Sequence, residues 1–198
     1  KTMKFTQIPA DLAATLAVNA GVLATAFVPS TGTLASDDII GATTGGVSVT
    51  CVPSYTDFGE DVDNCPKNTK EMKQIESWEC KMSGTFVTAD TTVAKMLLGA
   101  ADIDSIDTTK VTPRATIDSA DFDDIWYICD YSNYNGATNG GFVAIKLIDA
   151  LSSGGFSLQS TDKEKGQFAF EFIGHTSIDD PDTIPMEFYI QAGTAEPA

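Results

Sequence analysis

The chain has 198 residues, 42 % of them hydrophobic, which suffices for one packed domain spanning 1–198 and gives no reason for two. A formal net charge of -16, with only twelve lysines and arginines, speaks against a protein that grips nucleic-acid phosphates, because that grip runs on cations. No apolar run approaches the roughly 20 residues that a membrane-spanning helix needs, and four dispersed cysteines without a C-x-x-C pair, beside the single His175, do not suggest a structural zinc site.

Residues 1–38 are rich in Ala, Thr, Val and Gly and broken by Pro9, Gly21, Pro29 and Gly32; they read as an extended N-terminal arm with a short strand or helix. Gly41, Gly45 and Gly46 then deliver a strand at Val47 to Cys51, which Pro53 is expected to end. The following segment, 55–73, carries Asp57, Glu60, Asp61, Asp63, Lys67 and Lys70 and exceeds most connections within compact domains, so it reads as a partner-facing loop. From Glu71 to Thr88 the chain alternates, with Met72, Trp78, Cys80, Met82 and Phe86 on one parity, as in a long strand with one wet face.

Asp90 is placed to cap a short helix from Thr91, and Gly99 to end it. The Asp-rich stretch 102–124 reads as a solvated loop with a brief strand at Ala115 to Ile117. Ile125 to Cys129 and Phe142 to Ile148 are apolar on both parities, as strands covered on both faces are. Asn133, Asn135, Gly136, Asn139, Gly140 and Gly141 supply turn chemistry between them. Ser153, Gly154 and Gly155 open a turn into FSLQST, and Asp162 to Gly166 turns the chain back.

Gln167 to His175 and Ile184 to Gln191 alternate most clearly. Phe168, Phe170 and Phe172 oppose Gln167, Ala169, Glu171 and Ile173; Ile184, Met186, Phe188 and Ile190 oppose Pro185, Glu187, Tyr189 and Gln191. The two runs are expected to form a hairpin with one buried apolar face and one polar, acid-bearing face. Together these elements predict a mainly β fold of two packed antiparallel sheets, or a small barrel, with one flanking α-helix.

The candidate chemistry is thin. Asp57, Glu60, Asp61 and Asp63 supply oxygen ligands for a hard cation but lack the EF-hand order, and a solvated loop is the plainer reading. Asp57-Phe58-Gly59 stands without the other kinase motifs, and Thr43-Thr44-Gly45-Gly46 lacks the lysine of a phosphate cradle. Asp179, Asp180 and Asp182 read as turn residues around Pro181. His175 follows a strand with no nucleophile motif beside it. Glu171 and Glu187 form a carboxylate pair only if they share a site, and such residues are common on wet sheet faces. No cofactor, metal or catalytic residue is expected, and the chain does not read as an enzyme.

The blocks GATTGGVSVTC (Gly41 to Cys51), YTDFGEDVDNCPKNTKE (Tyr55 to Glu71), SWECKMSGTFVT (Ser77 to Thr88) and GQFAFEFIGHTSIDDPDTIPMEFYIQAG (Gly166 to Gly193) resemble the major tail protein, or tail tube protein, of long-tailed bacteriophages of Gram-positive hosts. VNAGVL (Val18 to Leu23), KMLLGAADID (Lys95 to Asp104) and NGGFVAIKL (Asn139 to Leu147) extend the likeness along the chain. The resemblance implies a β-sandwich with a flanking helix, six subunits per ring, and rings stacked into a hollow tube through which double-stranded DNA passes without specific binding. It implies a virion location after assembly in the host cytoplasm. It also implies self-contacts through residues 1–38 and 55–73, with tape measure, tail terminator and distal tail proteins as partners and no membrane. Glu171, Glu187, Gln159 and Glu79 are the expected lumen-facing residues, on the argument that an acidic wall repels phosphates and lets the duplex slide. The alternative from another class is a monomeric β-sandwich serving as a binding or adhesin-like module.

Overall fold

The computed structural model describes residues 17–131 and 141–193. In chain order they form β1 (Ala17–Ala24), β2 (Ile39–Gly41), β3 (Thr43–Asp57), β4 (Lys73–Phe86), α1 (Thr91–Leu98), β5 (Ala101–Ile103), β6 (Val111–Pro113), β7 (Asp123–Tyr131), β8 (Gly141–Ser152), β9 (Ser157–Gln159), β10 (Gln167–Ile173) and β11 (Met186–Gln191). One antiparallel sheet runs β2-β1-β7-β8-β10-β4-β3, with β11 added to β8 and β9 to β10, while β5 and β6 pair separately.

Strand β8 belongs to both layers of the fold. Its Phe142 to Leu147 stretch lies between β7 and β11, whereas Leu151 and Ser152 pair with Ile173 and Phe172 of β10. Between these stretches Asp149 adopts a φ of 46°, and the register against β7 slips between Asp123 and Ile125. Such an irregularity bends a strand and raises its twist, so the sheet turns over onto itself here. Asp124 Oδ1 accepts from the Asp149 N–H at 3.3 Å, and His175 Nδ1 lies 3.0 Å from the Asp149 carbonyl, to which it donates. These two contacts hold the bend.

The core lies between the two layers. Leu23, Ile125, Leu147 and Met186 from the β7 layer meet Cys80, Met82, Phe86, Phe170 and Phe172 from the β4 layer, and Val93 and Leu97 of α1 close the cluster. Phe86 and Phe170 pack with ring centroids 4.4 Å apart. At about 1.5–3 kcal/mol per fully buried large side chain, this cluster is the principal driving force for stacking the layers. A second cluster lies on the outer side of the β7 layer, where Phe27 and Leu34 of the segment after β1 cover Ala24, Trp126, Ile128 and Ala144. Strands β7 and β8 are thus apolar on both parities because both of their faces are covered.

Local signals near the helix hold in the structure. Asp90 Oδ1 accepts from the Val93 N–H at 2.8 Å, and Gly99, at φ 76°, returns its N–H to the Lys95 and Met96 carbonyls. Cys80 and Cys129 are both buried, as strand-borne free thiols.

Several expectations are corrected. Within 1–38, the short strand expected there is β1, which lies between β2 and β7 with Leu23 and Ala24 fully buried; residues 1–16 lie outside the described residues. The turn chemistry of 132–140 lies outside them as well. Pro53 does not end its strand, because β3 is an edge that pairs only with β4 among the described residues, and an edge strand tolerates the missing N–H. No strand forms at 115–117. Arg114 pairs there with Asp102 at 2.9 Å and with Asp118 and Asp121, drawing the chain into a turn around its guanidinium. Finally, β10 and β11 are not a hairpin. Strand β10 pairs with β4, β8 and β9 in one layer, and β11 pairs with β8 in the other.

Candidate functional site

The structure sorts the proposed lumen residues by layer. On the outer face of the β4 layer, register places Glu171 beside Ser83 and Ser48, Ile173 beside Lys81 and Thr50, and Glu79 beside Val52. Gln159 lies opposite Gln167 on that same face. Glu171, Gln159 and Glu79 therefore share one open surface, while Phe170 and Phe172 point from the other side of β10 into the core. Glu187 does not join them. It stands opposite Lys146 on the outer face of the β7 layer, where the Tyr189 hydroxyl donates to its Oε2 at 2.6 Å. The Glu171 and Glu187 carboxylates thus face away from each other across the sandwich and make no acid/base pair.

The β4-layer face is more polar than acidic. Lys81 Nζ lies 2.9 Å from Glu79 Oε1, and Ser153 Oγ donates to Glu171 Oε1 at 2.8 Å. The Glu79 hydrogen bond and charge hold Lys81 protonated, pushing its pKa up. Around these groups the face is lined with Thr44, Ser48, Thr50, Ser83 and Thr85, all uncharged hydroxyls. Its single lysine is neutralised, so it offers no free cation to a phosphate.

The segment 55–73 is the outer end of a ribbon. Strands β3 and β4 stay paired out to Asp57 and Lys73, leaving a tip of 58–72. Past Cys51 and Cys80 the ribbon leaves the sandwich, and apart from Trp78, which packs against the core, its large side chains are uncovered: Val52, Tyr55, Phe58, Val62, Met72 and Ile75 are all exposed. The Asp57 carboxylate accepts from the Gly59 N–H at 2.9 Å, Lys70 pairs with Glu71 at 3.4 Å, and Lys73 Nζ lies over the Tyr55 ring at 5.9 Å. Glu60, Asp61, Asp63 and Lys67 occupy the tip. Among the described residues, no group of three or more His, Cys, Asp or Glu side chains is arranged to hold a metal ion.

Strand β11 adds a second uncovered apolar strip, which sequence periodicity placed in the core. Met186 is buried, but Phe188 and Ile190 are 55 % and 64 % exposed, and Ile184 ahead of the strand is 39 % exposed. The free side of β11 meets no other strand among the described residues. His175 lines a cavity of about 150 Å³ with Asp149, Ser177, Asp180 and Thr183. There its ring holds the β8 bend, and Ser177 and Thr183 are engaged within the 177–183 turn.

No family model matches the chain, and no curated protein matches it.

Proposed function

We propose that the chain is a self-assembling structural subunit of the tail-tube type, stacking as hexameric rings into a conduit for double-stranded DNA in a phage virion. One observation carries the reading: the β3/β4 ribbon runs beyond the sandwich with apolar side chains bare on both faces. A two-stranded ribbon is marginal in water by itself, and exposed apolar patches of this kind mark contact surfaces. A neighbouring copy supplies the missing cover. The open β11 and β3 edges support the same reading, since closing strands across copies removes edges that otherwise invite uncontrolled pairing. The hydroxyl-lined face bearing Glu79, Gln159 and Glu171 is the proposed inner wall, suited to passage because it lacks an unneutralised lysine. Glu187 is left out of that wall.

Electron microscopy of the concentrated full-length protein tests this directly. Rings or tubes are expected, and a Tyr55→Ser, Phe58→Ser variant is expected to stay monomeric while keeping its β content and thermal stability. A wild-type protein that remains monomeric at high concentration, alone and with its tail partners, would sink the reading in favour of a monomeric binding module.

A further inference from the structure

The root of the ribbon carries a second chemistry, independent of whether the chain assembles. Cys51 and Cys80 are directly opposed across the β3/β4 pair, on the core side, between the Val49/Met82 and Pro53/Trp78 pairs. Their sulfurs are 2.9 Å apart and both thiols are free. Opposed residues of an antiparallel pair have Cα atoms about 4.5–5.5 Å apart, inside the window of about 4.4–6.8 Å that a disulfide requires. Closing to the S–S length of about 2.05 Å asks for a shift of under about 1 Å, within reach of side-chain rotation.

We propose that Cys51 and Cys80 are an oxidative modification site, joined by a peroxide-class oxidant into an intrachain disulfide that fastens the base of the projecting ribbon. The step balances on one peroxide. Cys51 Sγ attacks a peroxide oxygen and the O–O bond breaks, leaving a sulfenic acid on Cys51 and one water that carries the thiol proton. Cys80 Sγ then attacks Cys51 Sγ; the S–O bond breaks, the S–S bond forms, and the Cys80 proton leaves with the hydroxide as a second water. Two thiols lose two electrons and the peroxide is reduced to two waters. The order follows from access, because Cys51 is half-buried while Cys80 is fully buried. Burial, reinforced by Cys51, also pushes the Cys80 thiol up to about 12, which makes it the poorer first nucleophile toward peroxide and leaves that step to Cys51. The other thiols lack such a partner: Cys129 stands opposite Val143 in the other layer, and Cys65 sits in the ribbon tip.

The site is tested by treating the full chain with hydrogen peroxide at neutral pH, alkylating free thiols and mapping the peptides. The expected product is one Cys51–Cys80 linkage, lighter by two hydrogens and restored by a reductant, with Cys129 still alkylated. The oxidised chain should melt about 5–10 °C higher than the reduced one, the gain expected for closing a loop of this length. Cys51→Ser and Cys80→Ser should each abolish that difference and Cys65→Ser should keep it; if Cys80→Ser fails to fold, the half-buried Cys51→Ser carries the comparison. Alkylatable Cys51 and Cys80 after Cys65 has been oxidised, a Cys51 halted at sulfinic acid, or a linkage between chains would each overturn the proposal.

Discussion

Strands β10 and β11 carry the same alternation of large apolar and polar side chains, yet they lead opposite lives. Phe170 and Phe172 of β10 are 3 % and 1 % exposed, whereas Phe188 and Ile190 of β11 are 55 % and 64 % exposed. The difference is one of neighbours. Strand β10 is flanked by β4 on one side and by β9 and β8 on the other, and α1 and the β7 layer press on its apolar face. Among the described residues strand β11 pairs with β8 alone, and of its side chains only Met186, at its start, is buried. Alternation thus fixes which side chains share a face, while cover depends on what the rest of the chain brings to that face.

The largest expected effect follows from that contrast. Phe172→Ala empties a filled site in the core and should lower unfolding stability by about 3–5 kcal/mol. Phe188→Ala removes a ring that is already half in water, and in the monomer it should cost under about 1 kcal/mol. Urea unfolding of the two variants beside the wild type decides the matter. Equal losses would mean that something covers β11 in the isolated chain, and the contrast between the strands would fail.

The same distinction explains what the sequence made legible. Asp90 and Gly99 bracket α1 by chemistry that acts within one turn, and the doubly apolar runs of β7 and β8 report cover on both faces. Both were readable because the signal and its consequence lie in the same few residues. Partner choice was not. Phe168 lies opposite Phe86, some eighty positions earlier, and nothing in QFAFEFI distinguishes that pairing from one with the next alternating run. Likewise, parity correctly put Glu171 on a polar face opposite the phenylalanines but could not say that Glu187 lies in the other layer. Pro53 misled because its effect depends on an edge position that only the assembled sheet defines.

Charge reversal sharpens the comparison at the level of function. In the tubes proposed above, Glu79→Lys with Glu171→Lys would turn the β4-layer face from one net negative charge to three positive ones, counting Lys81. DNA release should slow, and added salt should restore it, because phosphate attraction to lysine is screened and counterion-dependent. Glu187→Lys, on the opposite outer face, should leave release kinetics unchanged. A slowing by Glu187→Lys alone, with no effect of the Glu79/Glu171 pair, would move the inner wall to the β7 layer.

The smallest effect lies in the titration of Tyr189. Its hydroxyl donates to Glu187, and that bond, with lesser contributions from burial and the carboxylate charge, raises the phenol above the ordinary tyrosine range. A raised folded-state pKa means that the folded chain holds the proton more tightly than the unfolded chain. The associated stability is complete below the unfolded tyrosine pKa of about 10 and is lost as pH rises through the folded value. Tyr127 behaves similarly for a different reason: burial, then Cys129, pushes it up to about 12. An alkaline titration followed by tyrosinate absorbance separates the two. Glu187→Ala removes both the acceptor and the charge from beside Tyr189, so one phenol should ionise earlier while Tyr127 stays where it is. If Glu187→Ala moves no tyrosine, the Tyr189 to Glu187 bond does not persist in solution. The exposed side of β11 would then be looser than the β10 face, where Ser153 secures Glu171.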